Sequence, residues 1–425
     1  MNIALRLSNH PLIATLRNLQ GNAKSCVLTE PLWGIPYHLY APYMSIYMLT
    51  LGLKDRQIGS LMSIGLALQI VGALLGGAIT DKLGRKRTTL IFDLLSWSIP
   101  CVLWAVAQDF NYFLAAAIFN SLWRVTSNSW VCLMVEDTPH NQLVHIYTWV
   151  YIAGLLSAFV SPITGMLINA YSLVPTVRGL FVLAFILMTA KFFILNRYVS
   201  ETQRGQIRMD ETRQQSFLSI LHEYWGVFKQ FLRTPRTLTT LGIMVVMSIC
   251  MMINGTFWGI LVTEKLRIPT QYIALYTFAR SALMLVFFFV VMPRIGGLHF
   301  KKPMLVGFGG FVLSQLLLVS MPEKSYAILL MATLLEACSW ALVNPFIDSM
   351  FIVTVDPLER ARIMAIVYVV IIALTSPFGW IAGRLSEFNR SLPFVLNLGL
   401  FVIGGGLVVL AARIPAQPAQ VIQNE

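Results

Sequence analysis

Charge is scarce in this sequence: Asp, Glu, Lys and Arg make up only 12% of its 425 residues, about half the share of a water-soluble domain. With 57% hydrophobic residues and a mean hydropathy of +0.71, the chain has too little polar surface to cover a soluble fold, so lipid must solvate much of it. Cysteine is sparse too. Cys26, Cys101, Cys132, Cys250 and Cys338 show no paired spacing and four of them stand in apolar runs, which disfavours a disulfide framework and a zinc site. No GxxxxGKS/T loop is present, which argues against an ATP-driven pump, and no HExxH, GxSxG or paired CxxC suggests an enzyme. No cofactor or metal is therefore expected. Arg6, Asn9, His10 and Arg17 interrupt the amino-terminal apolar stretch, so no cleaved signal peptide is expected either.

Long apolar runs are what the sequence does contain. They lie near 32–53, 57–80, 88–107, 111–135, 144–171 and 179–196, and after a polar stretch near 237–263, 270–293, 303–321, 326–354, 364–383 and 392–412. About twenty residues suffice for one helical crossing, so the pattern predicts an all-α membrane protein with twelve transmembrane helices. Its parts are an N-terminal segment 1–31, a six-helix bundle 32–196, a central loop 197–236, a second bundle 237–412 and a tail 413–425. Within the loop, Phe217, Leu221, Tyr224, Trp225, Phe228, Phe231 and Leu232 recur at helical spacing, which suits a helix lying in the interface, as a tether or a docking site.

The formal charge of +12 could suggest nucleic acid, but the basic residues fall between the runs. With a cytoplasmic amino terminus, 20 of the 31 Lys and Arg fall on the inside, 8 on the outside, and Arg124, Lys191 and Arg280 within spans. This asymmetry follows the positive-inside rule. It predicts a multi-pass protein of the plasma (inner) membrane with both termini cytoplasmic, and it accounts for the charge without nucleic acid. The halves also echo each other: Ser161-Pro162 recurs as Ser376-Pro377, and Trp123 as Trp340. Matched six-helix halves predict a solute site near the midplane between them.

Between the second and third runs the chain reads Gly77-Ala-Ile-Thr-Asp81-Lys82-Leu-Gly84-Arg85-Lys86-Arg87. This resembles the GxLaDRxGRK loop of the major facilitator superfamily, at the position where that family carries it. Gly77 would allow close helix approach, Gly84 a tight turn, Asp81 a cap or pair, and Arg85 and Lys86 an anchor to the membrane face. The resemblance implies a conformational latch that pairs with the end of the fourth helix, where Glu136 and Asp137 stand. The equivalent loop of the second half, Met292 to Lys302, has no aspartate; Asp356, Glu359, Arg360 and Arg362 could substitute. Ser157-Ala-Phe-Val-Ser161-Pro162-Ile-Thr-Gly165 is similar to the gxxxGPxxGG element of antiporters in the same superfamily, with serines at two glycine positions. It reads equally as a close-packing face.

Polar residues inside the spans concentrate on the first, fourth, seventh and tenth, the helices that line the cavity in that family. The first carries Tyr37, His38 and Tyr40; the fourth Asn120, Arg124 and Asn128; the seventh Asn254 and Trp258; the tenth Glu336, Trp340, Asn344 and Asp348. Steps of four keep residues near one helix face. Counting along the spans puts Arg124 and Glu336 at similar depth, so they are expected to face each other, either as substrate-binding and proton-coupling groups or as a permanent salt bridge. Asp348 would belong to an inner gate. The expectation is a monomeric secondary transporter of a small polar organic solute, proton-coupled and working by alternating access. The alternatives are a proton-driven efflux antiporter for amphipathic compounds, and a transporter-like sensor or lipid flippase.

Overall fold

The computed structural model describes residues 19–212, 235–291, 294, 299–354 and 360–413. Among them there is no strand. In lipid every backbone amide must find its partner inside its own segment, and helices answer that demand. Ten helices among the described residues are long and apolar enough to cross a membrane. Two further helical stretches, 21–50 and 110–135, take the first and fourth places in chain order, consistent with the expected twelve. These two carry the tyrosine-rich and Arg/Asn-bearing sequences, which lowers their hydropathy. The expected interfacial stripe from Phe217 to Leu232 lies outside the described residues.

The first crossing begins at Gly21, well ahead of the expected 32, so Glu30 sits inside the helix. Several crossings are broken where proline or a widened turn intervenes. A 3-10 turn at Ala41–Tyr43 contains Pro42. The fifth crossing passes from His140–Ser157 through Ala158–Val160 into Pro162–Tyr171, with Pro162 opening the new helix, where its missing N–H costs nothing. π-helical turns occupy Leu94–Ser98 in the third crossing and Leu261–Lys265 in the seventh.

The apolar core is shared at one face of the bundle and divided at the other. Near Asp55, one cluster joins the halves: Tyr43, Ile46 and Tyr47 of the first crossing pack with Ile253, Phe257 and Ala274 of the seventh and eighth. Toward Gly84 there are two separate clusters, one around Met134, Ile146 and Leu195 and the other around Phe308, Phe311 and Phe401. The seams lie where the repeated Ser-Pro elements sit. Ser161 Oγ donates to the Ala274 carbonyl at 3.1 Å, and Ser63 Oγ to the Ser376 carbonyl at 2.5 Å. A Cβ on Gly165 would stand 2.3 Å from the Gln271 carbonyl oxygen, and one on Gly59 2.3 Å from that of Gly379. Ser161 and Gly165 of the fifth crossing thus pack closely against the other half, while Ser157 lies against Gly34 of the first crossing.

Gly59→Ala is expected to destabilise the protein by about 1–3 kcal/mol through overpacking. Gly65→Ala on the same helix, where a Cβ meets nothing within 4 Å, is expected to be neutral or slightly stabilising. Thermal unfolding of the two variants in detergent checks the contrast.

Candidate functional site

At the Gly84 face, the second helix Asp55–Leu83 ends and the third begins at Arg85 with one residue between. Gly84 has φ +82°, a conformation that favours glycine. A Cβ there would also press on Glu201 Oε2 at 2.6 Å. That carboxylate receives the first amides of the third helix, Arg85 N at 2.8 Å and Lys86 N at 3.0 Å, the positions where a helix leaves donors unpaired. Arg85 is buried and joins two acids, Asp81 Oδ1 at 3.1 Å and Glu136 Oε1 at 3.0 Å. The loop and the end of the fourth crossing therefore meet through Arg85. Asp137 instead accepts from Gln203 N at 3.3 Å. On the same helix as Gly77, a Cβ on Gly76 would stand 3.3 Å from Val125 Cα, and one on Gly72 3.4 Å from the Ser121 carbonyl oxygen.

The helix Gln203–Thr212 covers this cluster. Arg208 Nη2 binds Asp81 Oδ2 at 3.0 Å, a hydrogen bond that raises the guanidinium's pKa. Thr202 Oγ1 donates to Glu136 Oε2 at 2.5 Å. Glu201, Thr202 and Arg208 carry no motif, which is why sequence spacing did not find them.

Deeper in the carboxy-terminal half, Glu336 is buried at 4% exposure. Its Oε1 accepts from Asn254 Nδ2 at 3.0 Å and Trp340 Nε1 at 3.2 Å, and Arg280 Nη1 stands 3.8 Å away. Asn397 Nδ2 in turn donates to Asn254 Oδ1 at 2.9 Å. All three donors converge on one oxygen, and among the described residues Oε2 has no donor.

Arg124 is not Glu336's partner. No hydrogen bond or ion pair joins them among the described residues. The Arg124 guanidinium lies over the Trp123 ring at 4.3 Å and the Tyr368 ring at 5.3 Å, and its buried Nε has no hydrogen-bond partner. Tyr368 belongs to the eleventh crossing, so Arg124 meets the opposite half through an aromatic face. Glu336 turns into its own half because Asn254 and Arg280 hold it there, and sequence depth alone could not foresee that.

The remaining candidates separate. Tyr40 is buried among Trp104 and Phe181, and its hydroxyl is unpartnered, so it belongs to the amino-terminal core rather than to a cavity wall. Trp340 packs edge-on to Phe311 at 5.3 Å. Tyr37 stacks on Trp33 at 4.7 Å and meets His38 edge-on at 5.6 Å. Trp258 contacts Tyr276 at 6.1 Å. Asn128 and Asn344 are exposed. The drift of about 40° per four-residue step explains why Glu336 and Trp340 are buried while Asn344 is not. The side chain of Asp348 lies outside the described set, as do residues 355–359 with Asp356 and Glu359.

The Asp55 face holds charges that the sequence reading left out of the site. Asp55 Oδ2 accepts from Ser386 Oγ at 2.6 Å and pairs with Arg390 at 3.4 Å, which also reaches Glu264 at 3.4 Å. These residues floor an open bowl of about 680 Å³ with Lys54, Arg267 and Glu323 on its walls. The Asp55–Arg390 pair joins the two halves at this seam, and Glu264 holds Arg390 from within the second half.

Breaking a buried ion pair by removing one member costs about 3–5 kcal/mol. Glu136→Ala is expected to lose stability on that scale. Glu211→Ala, which removes the exposed partner of Arg208, is expected to change it by less than about 1 kcal/mol. Denaturation in detergent reads both.

No curated protein matches the sequence. Among solved structures the fold is similar to that of the nucleoside transporter NupG, with TM-score 0.69 and 14% identity over 93% of this chain and 100% of that one. A POT family transporter in complex with 5-aminolevulinic acid gives 0.71 and 14%, covering 92% of this chain and 95% of that one. The human organic anion transporter MFSD10 gives 0.65 and 15%, covering 91% and 98%. The family model of the Major Facilitator Superfamily matches residues 34–379; with its helices long and apolar enough to cross a membrane, the chain belongs to that superfamily of membrane transporters.

Proposed function

We propose that the chain is a secondary transporter that couples the movement of a small polar organic solute to protons by alternating access. The observation that carries this reading is Glu336, a buried carboxylate with Oε1 held by Asn254, Trp340 and Arg280 and Oε2 without a donor among the described residues. A proton on Oε2 would cancel the attraction to Arg280. The guanidinium, 38% exposed, would then be free to take a polar or anionic group of the solute. Arg124, held against the Trp123 and Tyr368 rings, supplies a second cation from the other half.

The division of the apolar core supports a conformation closed at the Asp55 face and open toward the Gly84 face. The positive-inside rule assigns the Gly84 face to the cytoplasm, which makes this an inward-facing state with cytoplasmic termini in the plasma membrane. The cluster of Arg85, Asp81, Glu136 and Arg208 then acts as the latch on that side, and the Asp55–Arg390 pair as the outer gate. Similar folds named for nucleosides, organic anions and a complex with 5-aminolevulinic acid favour polar organic solutes as the class.

The test is uptake into liposomes containing the purified protein, with labelled nucleosides, small peptides and organic acids offered with and without an imposed proton gradient. One class is expected to accumulate severalfold faster with the gradient, and Glu336→Gln is expected to remove that acceleration. Uptake by Glu336→Gln that still follows the gradient over the whole pH range would refute coupling at this residue.

A further inference from the structure

The second crossing, Asp55–Leu83, and the eleventh, Arg360–Phe388, meet at the seam between the halves through one hydroxyl as well as through glycines. Ser63 Oγ donates to the Ser376 carbonyl at 2.5 Å and accepts from the Trp380 amide at 2.6 Å. Ser376 and Trp380 are four residues apart, the spacing of acceptor and donor in one helical hydrogen bond. A side chain of the first half therefore holds both ends of a backbone pair in the second. Ser376 Oγ in turn reaches the Ser63 carbonyl at 3.4 Å. Three residues earlier, Ser60 Oγ instead donates to the Arg56 carbonyl of its own helix at 2.9 Å, the usual bond of a helical serine.

Proline and glycine make this contact reachable. Pro377, inside the eleventh helix, gives the Ala373 carbonyl no amide and crowds it, which bends a helix and loosens its ladder. A Cβ on Gly379 would stand 2.7 Å from Ser63 Oγ, and one on Gly383 2.9 Å from the Asp55 carbonyl oxygen, so glycine at both positions lets the backbones approach this closely. Ser63 and Trp380 each lie about 12 Å along their helices from the Asp55-face end. At that depth in a bilayer a released backbone group must be satisfied by protein.

Parting the halves at the Asp55 face would draw Ser63 away from the eleventh helix. The carbonyl and amide it releases are each other's natural partners, and Ser63 Oγ can turn to the Gly59 carbonyl four residues back in its own helix. Two bonds between the halves are then replaced by two within them, and no buried backbone group is orphaned.

We propose that Ser63 is an exchangeable clasp. With the Asp55 face closed, its hydroxyl bridges Ser376 and Trp380 and holds the eleventh helix bent at Pro377; with that face open, Ser376 and Trp380 bond directly and the helix straightens. The clasp rests on the alternating-access reading but on neither the coupling ion nor the solute.

The test is the spin-label distance between Gln108→Cys and Glu323→Cys, exposed positions at the Asp55 face of the two halves. It is measured on the full-length protein in lipid nanodiscs, with the five native cysteines replaced by alanine. Ser63→Ala is expected to lower the ratio of the short, closed distance to the long, open one by about 2–10-fold, because the bent helix then leaves Ser376 and Trp380 unbridged. Pro377→Ala, which restores an amide and favours a straight helix, is expected to act in the same direction, and it keeps the test decisive if Ser63→Ala fails to fold. Ser376→Ala keeps the carbonyl and is expected to change the ratio less than about twofold. The bond itself is read at Trp380. Gly379-Trp380 is the only Gly-Trp pair in the sequence, so glycine labelled at the carbonyl carbon and tryptophan at the amide nitrogen single out this amide by NMR. Its resonance is expected to shift in Ser63→Ala, as the hydroxyl gives way to the Ser376 carbonyl. An unchanged distance ratio in both Ser63→Ala and Pro377→Ala would overturn the clasp, and so would an equal change in Ser376→Ala or a Trp380 resonance that ignores Ser63→Ala. Neither readout involves solute or gradient, so a failure of the transport reading would appear in the liposome assay and not here.

Discussion

The structure depends on how its apolar core is divided. At the Asp55 face the two six-helix halves bury Tyr43, Ile46, Phe257 and Ala274 together in one cluster; toward the Gly84 face the buried described residues form separate clusters, and the halves touch there through rings, Tyr151 against Phe288 and Arg124 against Tyr368. A bundle packed as one core along its whole length would be rigid, because close-packed interiors resist continuous deformation. A core that is continuous at one end and split at the other leaves each half intact while the seam between them opens or closes. Gly59 against Gly379, Gly165 against Gln271, and the two Ser-Pro elements let backbones touch at that seam. Small side chains there make the contact intimate and cost little side-chain entropy when it is broken.

Charge follows the same division. In a membrane interior an ionised group survives when it is paired, wetted or held against an aromatic face. Lys191 is held by Glu30 within the amino-terminal half, and Glu336 by Asn254, Trp340 and Arg280 within the carboxy-terminal half. Arg85, Asp81, Glu136 and Arg208 form a network inside the first half and the helix that follows it. The pairs that cross between halves, Asp55–Arg390 and Arg56–Glu387, sit at the Asp55 face, where water can replace either partner if the face opens. Internal pairs therefore keep each half rigid, and exchangeable ones lie where the halves must part.

Much of this was legible in the residues. Hydropathy located the crossings, because a lipid-exposed helix needs some twenty apolar residues in a row. The Gly77–Arg87 stretch identified the family because its glycine, aspartate and arginine spacing serves a tight helix-to-helix turn. Less legible was Glu30: the first apolar run starts after it, and only the helix extending back to Gly21 brings it within reach of Lys191. Arg280 and Glu336 lie on different helices with no shared spacing, and a count of depth matched Glu336 to Arg124 because depth says nothing about which way a helix is turned.

The sequence by itself determined the solvent, the helical class, the two matched halves and the Gly77–Arg87 family motif. These rest on composition and local period, which the bilayer reads one segment at a time. Only the tertiary structure decided the partners: Arg124 against Trp123 and Tyr368, Glu336 against Arg280, Glu30 against Lys191, and which face is closed. Those choices depend on the rotation of each helix about its axis and on packing between distant segments, and neither is encoded in any single stretch of chain.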